Sequence, residues 1–385
     1  MTHFFYWLYS ISLYIRYMIF QNKSLVFGIL LLGNVAFLTG FYNLAYSQSA
    51  DDFDRIFSAW NHTDTPGGAV AVIKDGQLLF SKGYGMADLE HRVAISPQTV
   101  FYAGSVSKQF VTTCIAILEE RGKLQFTDEV NLYFPEFKDY GHAITLEHLI
   151  HHTSGIKDYF RLLNQAGEDY FDHPPLDNVL ELIFVQNELD FAPGTQYRYS
   201  NSGYLMLAQI VEKVSGMSFS QFAQQEIFDA LGMRQSKFLD DVQLLIPDRA
   251  WGYQIDSDGK VLNQIMRFDL VGSGGLYTSI NDLIKWDANF ASNKLNHHSS
   301  SLQKTLHKKG KINAGTENQE ELNYAMALSY REHNGNEMVG HTGSLGGYRA
   351  AYFRVPLKNL SVIILTNASN YTPVDQVNQI VDLFD

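Results

Sequence analysis

Cysteine is almost absent: of 385 residues only Cys114 carries a thiol, and proline occurs 9 times. A single thiol excludes an intramolecular disulfide framework and any zinc cluster built on cysteine. With 45% hydrophobic and 18% charged residues the composition is globular, which excludes collagen-like repeats, disordered tracts and long coiled coils. Acidic residues are missing from 1–47, whose charged side chains are Arg16 and Lys23. The remainder carries 27 Lys and Arg against 41 Asp and Glu, a net of −14. Such a surface repels phosphate backbones, so no nucleic-acid partner is expected. There is no internal repeat, low-complexity tract or long linker. A G-x-S-x-G elbow is also lacking, which argues against an α/β-hydrolase.

What is present begins with a segment outside the fold. Lys23 precedes the apolar run Leu25–Tyr42, and Ala45-Tyr46-Ser47 offers a small-residue junction before Gln48. This pattern predicts a secretory signal cut near Ser47, with Met18–Ser47 alone making a well-proportioned one. The run is nearly long enough to span a bilayer, so a retained anchor is the alternative. Either way residues 48–385 are expected to be exported, periplasmic or secreted, touching a membrane only through an uncleaved 1–47 segment. No cysteine near the junction permits a lipoprotein anchor.

Within residues 48–385 the signals change along the chain. Gly67–Lys74 and Gln77–Gly85 alternate across Asp75-Gly76, a two-residue hairpin signal. Phe110–Leu118 reads as a buried helix stopped by Gly122, and patterns from about 105 to 245 are mostly helical, as at Tyr204–Val214 and Phe219–Leu231. After Gly272 they become β-rich, with a turn at Asn334-Gly335, strands near Arg349–Val355 and Ser361–Thr366, and a closing helix over Val374–Phe384. Strands, a helical middle, then strands again predict an α+β fold. One antiparallel sheet would be built from both chain ends, with flanking helices and a mostly helical insertion. A site is expected at the seam between sheet and insertion.

Three short motifs carry chemistry. In Ser105-Val106-Ser107-Lys108 a serine lies three residues before a lysine, so both share a helix face. The lysine can take the serine proton if its pKa is lowered, and the helix start offers N–H groups to an oxyanion. Three other S-x-x-K matches (Ser154/Lys157, Ser257/Lys260, Ser301/Lys304) sit beside glycine, in a turn or in a polar run; only Ser105 opens a buried helix. Tyr199-Ser200-Asn201 adds a proton-relaying phenol and an amide that can bind a substrate carbonyl. His341-Thr342-Gly343-Ser344 lies at a strand end, where Gly343 permits close backbone approach and the Ser344 N–H can serve an oxyanion.

Each motif alone is modest, but their order, with gaps of 94 and 142 residues, is not. Together they make the chain resemble the serine β-lactamase and penicillin-binding-protein superfamily, notably class C β-lactamases, D-alanyl-D-alanine carboxypeptidases, D-aminopeptidases and related esterases. Leu149-Ile-His-His-Thr-Ser-Gly155, Phe101-Tyr-Ala-Gly-Ser105 and Gly272-Ser-Gly-Gly-Leu-Tyr-Thr-Ser279 are similar to further family segments, and the likeness runs from about Phe53 to the C-terminus. The resemblance implies a β-lactamase/transpeptidase-like fold and no metal or organic cofactor. It implies Ser105 as the acylated nucleophile, Lys108 as its deprotonating partner and Tyr199 as general base and acid. Asn201, His341, Thr342 and Gly343 would bind substrate, and the backbone N–H groups of Ser105 and Ser344 would form the oxyanion hole. The family's β-lactamases carry lysine where this chain has His341. A histidine with a pKa near ~6.5 is mostly neutral at pH 7, so it supplies no permanent charge for an anionic substrate.

The leading expectation is therefore a serine hydrolase of D-amino-acid amides, D-peptides or small esters. A class C-like β-lactamase and a cell-wall-peptide sensor with little turnover are the alternatives. His148, His151 and His152 fall at i, i+3 and i+4 without an H-E-x-x-H or H-x-H-x-D arrangement, so a structural role is expected for His152. Cys114 is expected to be a small core residue. Tyr159-Phe160 and Tyr170-Phe171 are expected in the core rather than along a substrate cleft.

Overall fold

The computed structural model describes residues 48–292, 294–295, 301–313 and 319–385. The expected signal or anchor lies outside the described residues. The chain divides after Phe53, and the larger unit, Asp54–Asp385, holds the whole candidate site.

Six antiparallel strands form the central sheet: β1 (Gly68–Lys74), β2 (Gln77–Tyr84), β3 (Ser329–His333), β4 (Asn336–Leu345), β5 (Tyr348–Val355) and β6 (Leu360–Thr366). Their order is β3-β4-β5-β6-β1-β2, so the two chain ends meet where β6 pairs with β1. The expected hairpins are both present. Asp75 and Gly76 turn with φ of 50° and 74°, and Asn334 and Gly335 with 48° and 77°, the conformation a two-residue turn between twisted strands requires. All seven residues of β6 are buried, as befits a central strand covered on both faces.

The helical middle contains α1 (Lys108–Glu120), α2 (Tyr159–Ala166) and α3 (Asn201–Ser215). Eleven residues of α1 are buried, Cys114 among them, and α1 packs on α3. The segment Phe219–Leu231 is helical throughout but passes through a π turn at Gln224–Phe228. Two helices pack against the sheet, α4 (Ile280–Ser292) and α5 (Pro373–Asp382). The β-rich reading after Gly272 missed α4. Its signal was Ser279, whose hydroxyl caps Asp282 N at 3.3 Å, ahead of Leu283 and Trp286 at a spacing of three. No helix among the described residues is long and apolar enough to cross a membrane.

Candidate active site

Ser105 does not open the α-helix as expected. It lies in a 3₁₀ turn, Gly104–Ser107, and α1 begins at Lys108. The tighter turn serves the same end, because in 3₁₀ geometry residues i and i+3 eclipse, which sets Lys108 over Ser105. Ser107 anchors this turn: its hydroxyl donates to Gly104 O at 2.6 Å and accepts from Leu276 N at 3.2 Å.

Lys108 is fully buried, and its Nζ has three oxygen neighbours: Ser105 Oγ at 3.0 Å, Asn201 Oδ1 at 2.9 Å and Ser273 O at 2.6 Å. Burial drives its pKa well below that of an ordinary lysine, against the opposing pull of Asp158. A neutral amine has two N–H donors and one lone pair. The Ser273 carbonyl and the Asn201 amide oxygen can only accept, so they take the two donors. The lone pair then faces the Ser105 hydroxyl, as a base for that proton must.

Asn201 reaches this position because α3 packs on α1 and begins at Asn201. Its amide is oriented by Asp158, the N-cap of α2: Asp158 Oδ2 accepts from Asn201 N and from Asn201 Nδ2 at 2.9 Å, while Oδ1 accepts from Phe160 N at 3.0 Å. Tyr199, two residues earlier, presents its ring 4.9 Å from Lys108 Nζ. Its hydroxyl is buried with no hydrogen-bond partner among the described residues. Burial raises this phenol well above its ordinary pKa. Burial thus favours the protonated phenol of Tyr199 and the neutral amine of Lys108.

The strand motif meets the nucleophile through close backbone approach. A Cβ on Gly343 would stand 1.9 Å from Ala103 O, and one on Gly104 would stand 2.5 Å from Ser344 N. Only glycine at both positions lets β4 lie against the Ser105 turn, bringing the Ser344 backbone beside Ser105. Pairing with β3 stops at Gly340, so His341–Leu345 runs past its outer neighbour.

His341 is buried, and its protonation is set by a chain of hydrogen bonds that starts at a fixed donor. Ser200 N donates to His152 Nδ1 at 3.1 Å, so His152 Nε2 carries the proton and donates to Tyr324 Oη at 3.1 Å. Tyr324 then donates to His341 Nε2 at 3.2 Å, leaving His341 Nδ1–H for the Thr342 carbonyl. The Ser200 N–H makes His152 a neutral imidazole, and burial favours the neutral form of His341. Burial, helped by Lys108, pushes the His341 pKa down to about 3, and burial pushes His152 well below its ordinary value. His152 is structural, as expected. No group of three or more His, Cys, Asp or Glu able to hold a metal occurs among the described residues.

Ser105, Tyr199 and Ser344 line both of two adjoining cavities. The larger, about 540 Å³, is walled by Phe160, Tyr170, Phe171 and Phe268 and also holds Arg349. The core reading of Phe160, Tyr170 and Phe171 is therefore corrected, and only Tyr159 is fully buried, donating to or accepting from Ser273 Oγ at 2.8 Å. The second, about 440 Å³, is lined by Tyr197, Tyr324, His341 and Thr342, with Arg331 of β3 as its charged residue. Asp158, Ser273, Tyr324, Arg331 and Arg349 escaped the sequence reading. Two of them left a signal: Asp158 as an acidic residue ahead of the amphipathic run Tyr159–Leu163, and Ser273 as part of the segment Gly272–Ser279.

A family model for beta-lactamase matches residues 53–383. The chain belongs to the beta-lactamase family. Within that family it is 29% identical over 307 residues to a D-aminopeptidase of Brucella anthropi, covering 80% of this chain and 57% of that one. A D-aminopeptidase of Brucella canis is 29% identical over 306 residues, covering 78% and 56%. The chain thus spans somewhat over half the length of these curated relatives. The octameric penicillin-binding protein homologue from Pyrococcus abyssi superposes with a TM-score of 0.74 at 25% identity, over 87% of this chain and 77% of that one. A D-amino acid amidase from Ochrobactrum anthropi gives 0.72 at 16% identity, over 86% and 97%, a likeness of fold. This beta-lactamase-family fold is the α+β arrangement expected from the sequence.

Proposed function

We infer that the protein is a serine hydrolase working through an acyl-enzyme on Ser105, with amide or peptide bonds of D-amino acids, or small esters, as substrates. The observation that carries this reading is the buried Lys108 amine, whose Nζ lies 3.0 Å from Ser105 Oγ and is held by Asn201 Oδ1 at 2.9 Å and Ser273 O at 2.6 Å. The names of the Brucella relatives favour D-amino-acid substrates.

In acylation Ser105 Oγ attacks the substrate carbonyl carbon while its proton passes to Lys108 Nζ. The negative charge on the carbonyl oxygen is met by the N–H groups of Ser105 and Ser344. Collapse breaks the bond to the leaving group, which takes a proton from the neutral Tyr199 hydroxyl as Tyr199 recovers one from Lys108. Water then hydrolyses the Ser105 ester and the free serine returns. Asn201 holds Lys108 on one side and offers its site to the substrate on the other; Thr342 and Gly343 belong to the strand segment beside which the substrate extends. Export across a membrane is part of the same reading, supported by Lys23 and the apolar run after it.

The test is release of ammonia from N-acetyl-D-amino-acid amides and of nitrophenol from p-nitrophenyl acetate, by wild type and by Ser105→Ala. Turnover that vanishes in the variant is expected; equal turnover by Ser105→Ala would remove the assignment. A class C-like β-lactamase is the second reading, favoured by Arg331, which gives the second cavity the charge that a neutral His341 lacks. Ser105-dependent opening of benzylpenicillin would support it.

A further inference from the structure

The two cavities that meet at Ser105 are lined by no Asp or Glu among the described residues, and each contains one arginine. The acidic group nearest the cluster, Asp158, has both carboxylate oxygens committed to Asn201 and Phe160. An ammonium group entering either cavity would lose hydration and gain no carboxylate, which is unfavourable however well the rest fits.

In the larger cavity Arg349 stands opposite Ser344 in the β4–β5 ladder. Its Nη1 donates to Gly346 O at 2.9 Å and Tyr348 O at 2.7 Å, which fixes the guanidinium over the turn. Its Nε and Nη2 make no hydrogen bond to a described residue, and no described carboxylate pairs with it. The same cavity is walled by Phe160 and Phe268, which stack at 5.9 Å and 14°, with Tyr170 edge-on to Phe160 at 4.9 Å. An apolar wall and a held guanidinium with unused donors in one cavity make a seat for a group that has an apolar body and a carboxylate end.

We propose that this cavity takes the acyl half of the substrate in amine-blocked form, its apolar body on the Phe160–Phe268 wall and a carboxylate on Arg349. The proposal rests on the acyl-enzyme reading of Ser105 and narrows it: the substrate is an N-acylated D-amino-acid derivative bearing an acid on its acyl side. A D-amino acid with a free ammonium is disfavoured, so an aminopeptidase activity does not transfer to this site.

Three p-nitroanilides test it: N-succinyl-D-phenylalanine, N-acetyl-D-phenylalanine and D-phenylalanine with its amine free. The expected order of kcat/KM is succinyl, acetyl, free amine, with succinyl at least about tenfold above acetyl. Arg349→Gln is expected to bring the succinyl-to-acetyl ratio close to one, and Arg349→Lys to keep part of it. Because Arg349 also holds the turn, the ratio is the readout: two substrates on one sample cancel any loss of folded protein. A free-amine substrate turned over best, or a ratio unchanged in Arg349→Gln, would overturn the proposal while Ser105-dependent hydrolysis of p-nitrophenyl acetate left the acyl-enzyme reading intact. Absence of any Ser105-dependent turnover would overturn both.

Discussion

The two cavities share Ser105, Tyr199 and Ser344 and differ in how they treat charge. The smaller is backed by a closed chain of polar groups, His152 to Tyr324 to His341, whose members burial keeps neutral. The larger is walled by rings that need no partner, and its one cation keeps unused donors. A hydrogen-bonded wall fixes position, because each group has one satisfied arrangement, while an aromatic wall accepts any apolar shape of the right size. In both, a single arginine is the charged lining residue, and the buried His341 is held towards its neutral form. The proposed selectivity therefore rests on the arginines, and the proposed chemistry on the buried cluster that the cavities share.

The severest test removes what the cavities have in common. Ser105→Ala and Lys108→Ala are expected to lower kcat/KM by at least about 10³-fold on every substrate, measured by initial rates, since nucleophile and base act as a unit. Next comes Asp158→Asn. As a positioning residue, Asp158 acts through Asn201, so kcat should fall about ten- to a hundredfold with a smaller change in KM. The carboxylate also holds the Lys108 pKa up against burial. Its removal lowers that pKa further, so the acid limb of the rate profile should move to lower pH, a shift that a loss of packing would not produce.

The hydrogen-bonded wall makes its own prediction. Tyr324→Phe leaves two buried imidazole nitrogens without partners and should cost about 1–3 kcal/mol of stability in urea unfolding. His341 titrates near 3 when folded and near ~6.5 when unfolded, so the unfolded chain binds the extra proton between those values. The stability it contributes is complete above about pH 6.5 and is lost as pH falls towards 3, by up to about 1.4 kcal/mol per pH unit. His341→Gln should flatten that slope. The smallest effect is expected from Arg331→Gln: about a five- to tenfold loss for substrates with a carboxylate on the leaving group, read as the ratio of a dipeptide to the corresponding amide.

Much of the fold was legible because its signals are local. Asp75-Gly76 and Asn334-Gly335 declare their turns from two residues each, and the alternation around them sets the strands. Ser105, Lys108, Tyr199, Asn201 and His341 were legible as motifs in a fixed order, and the structure brings them to one cluster. The partners that set their protonation were not. Ser273 meets Lys108 from 165 residues away and Tyr324 joins two histidines on separate segments, contacts created only by packing α1, α3 and the sheet together. Phe160, Tyr170 and Phe171 failed in the other direction: composition places aromatic residues in a core, and nothing local tells a core wall from a cavity wall.

The central claim is that Ser105 becomes acylated with Lys108 as its base. Its most direct test is peptide mapping by mass spectrometry after rapid acid quench of the protein mixed with N-acetyl-D-phenylalanine p-nitrophenyl ester. The account predicts an N-acetyl-phenylalanyl adduct on the peptide containing Ser105, absent from Ser105→Ala and strongly slowed in Lys108→Ala. An adduct on another residue, or ester turnover that survives both substitutions, would contradict it.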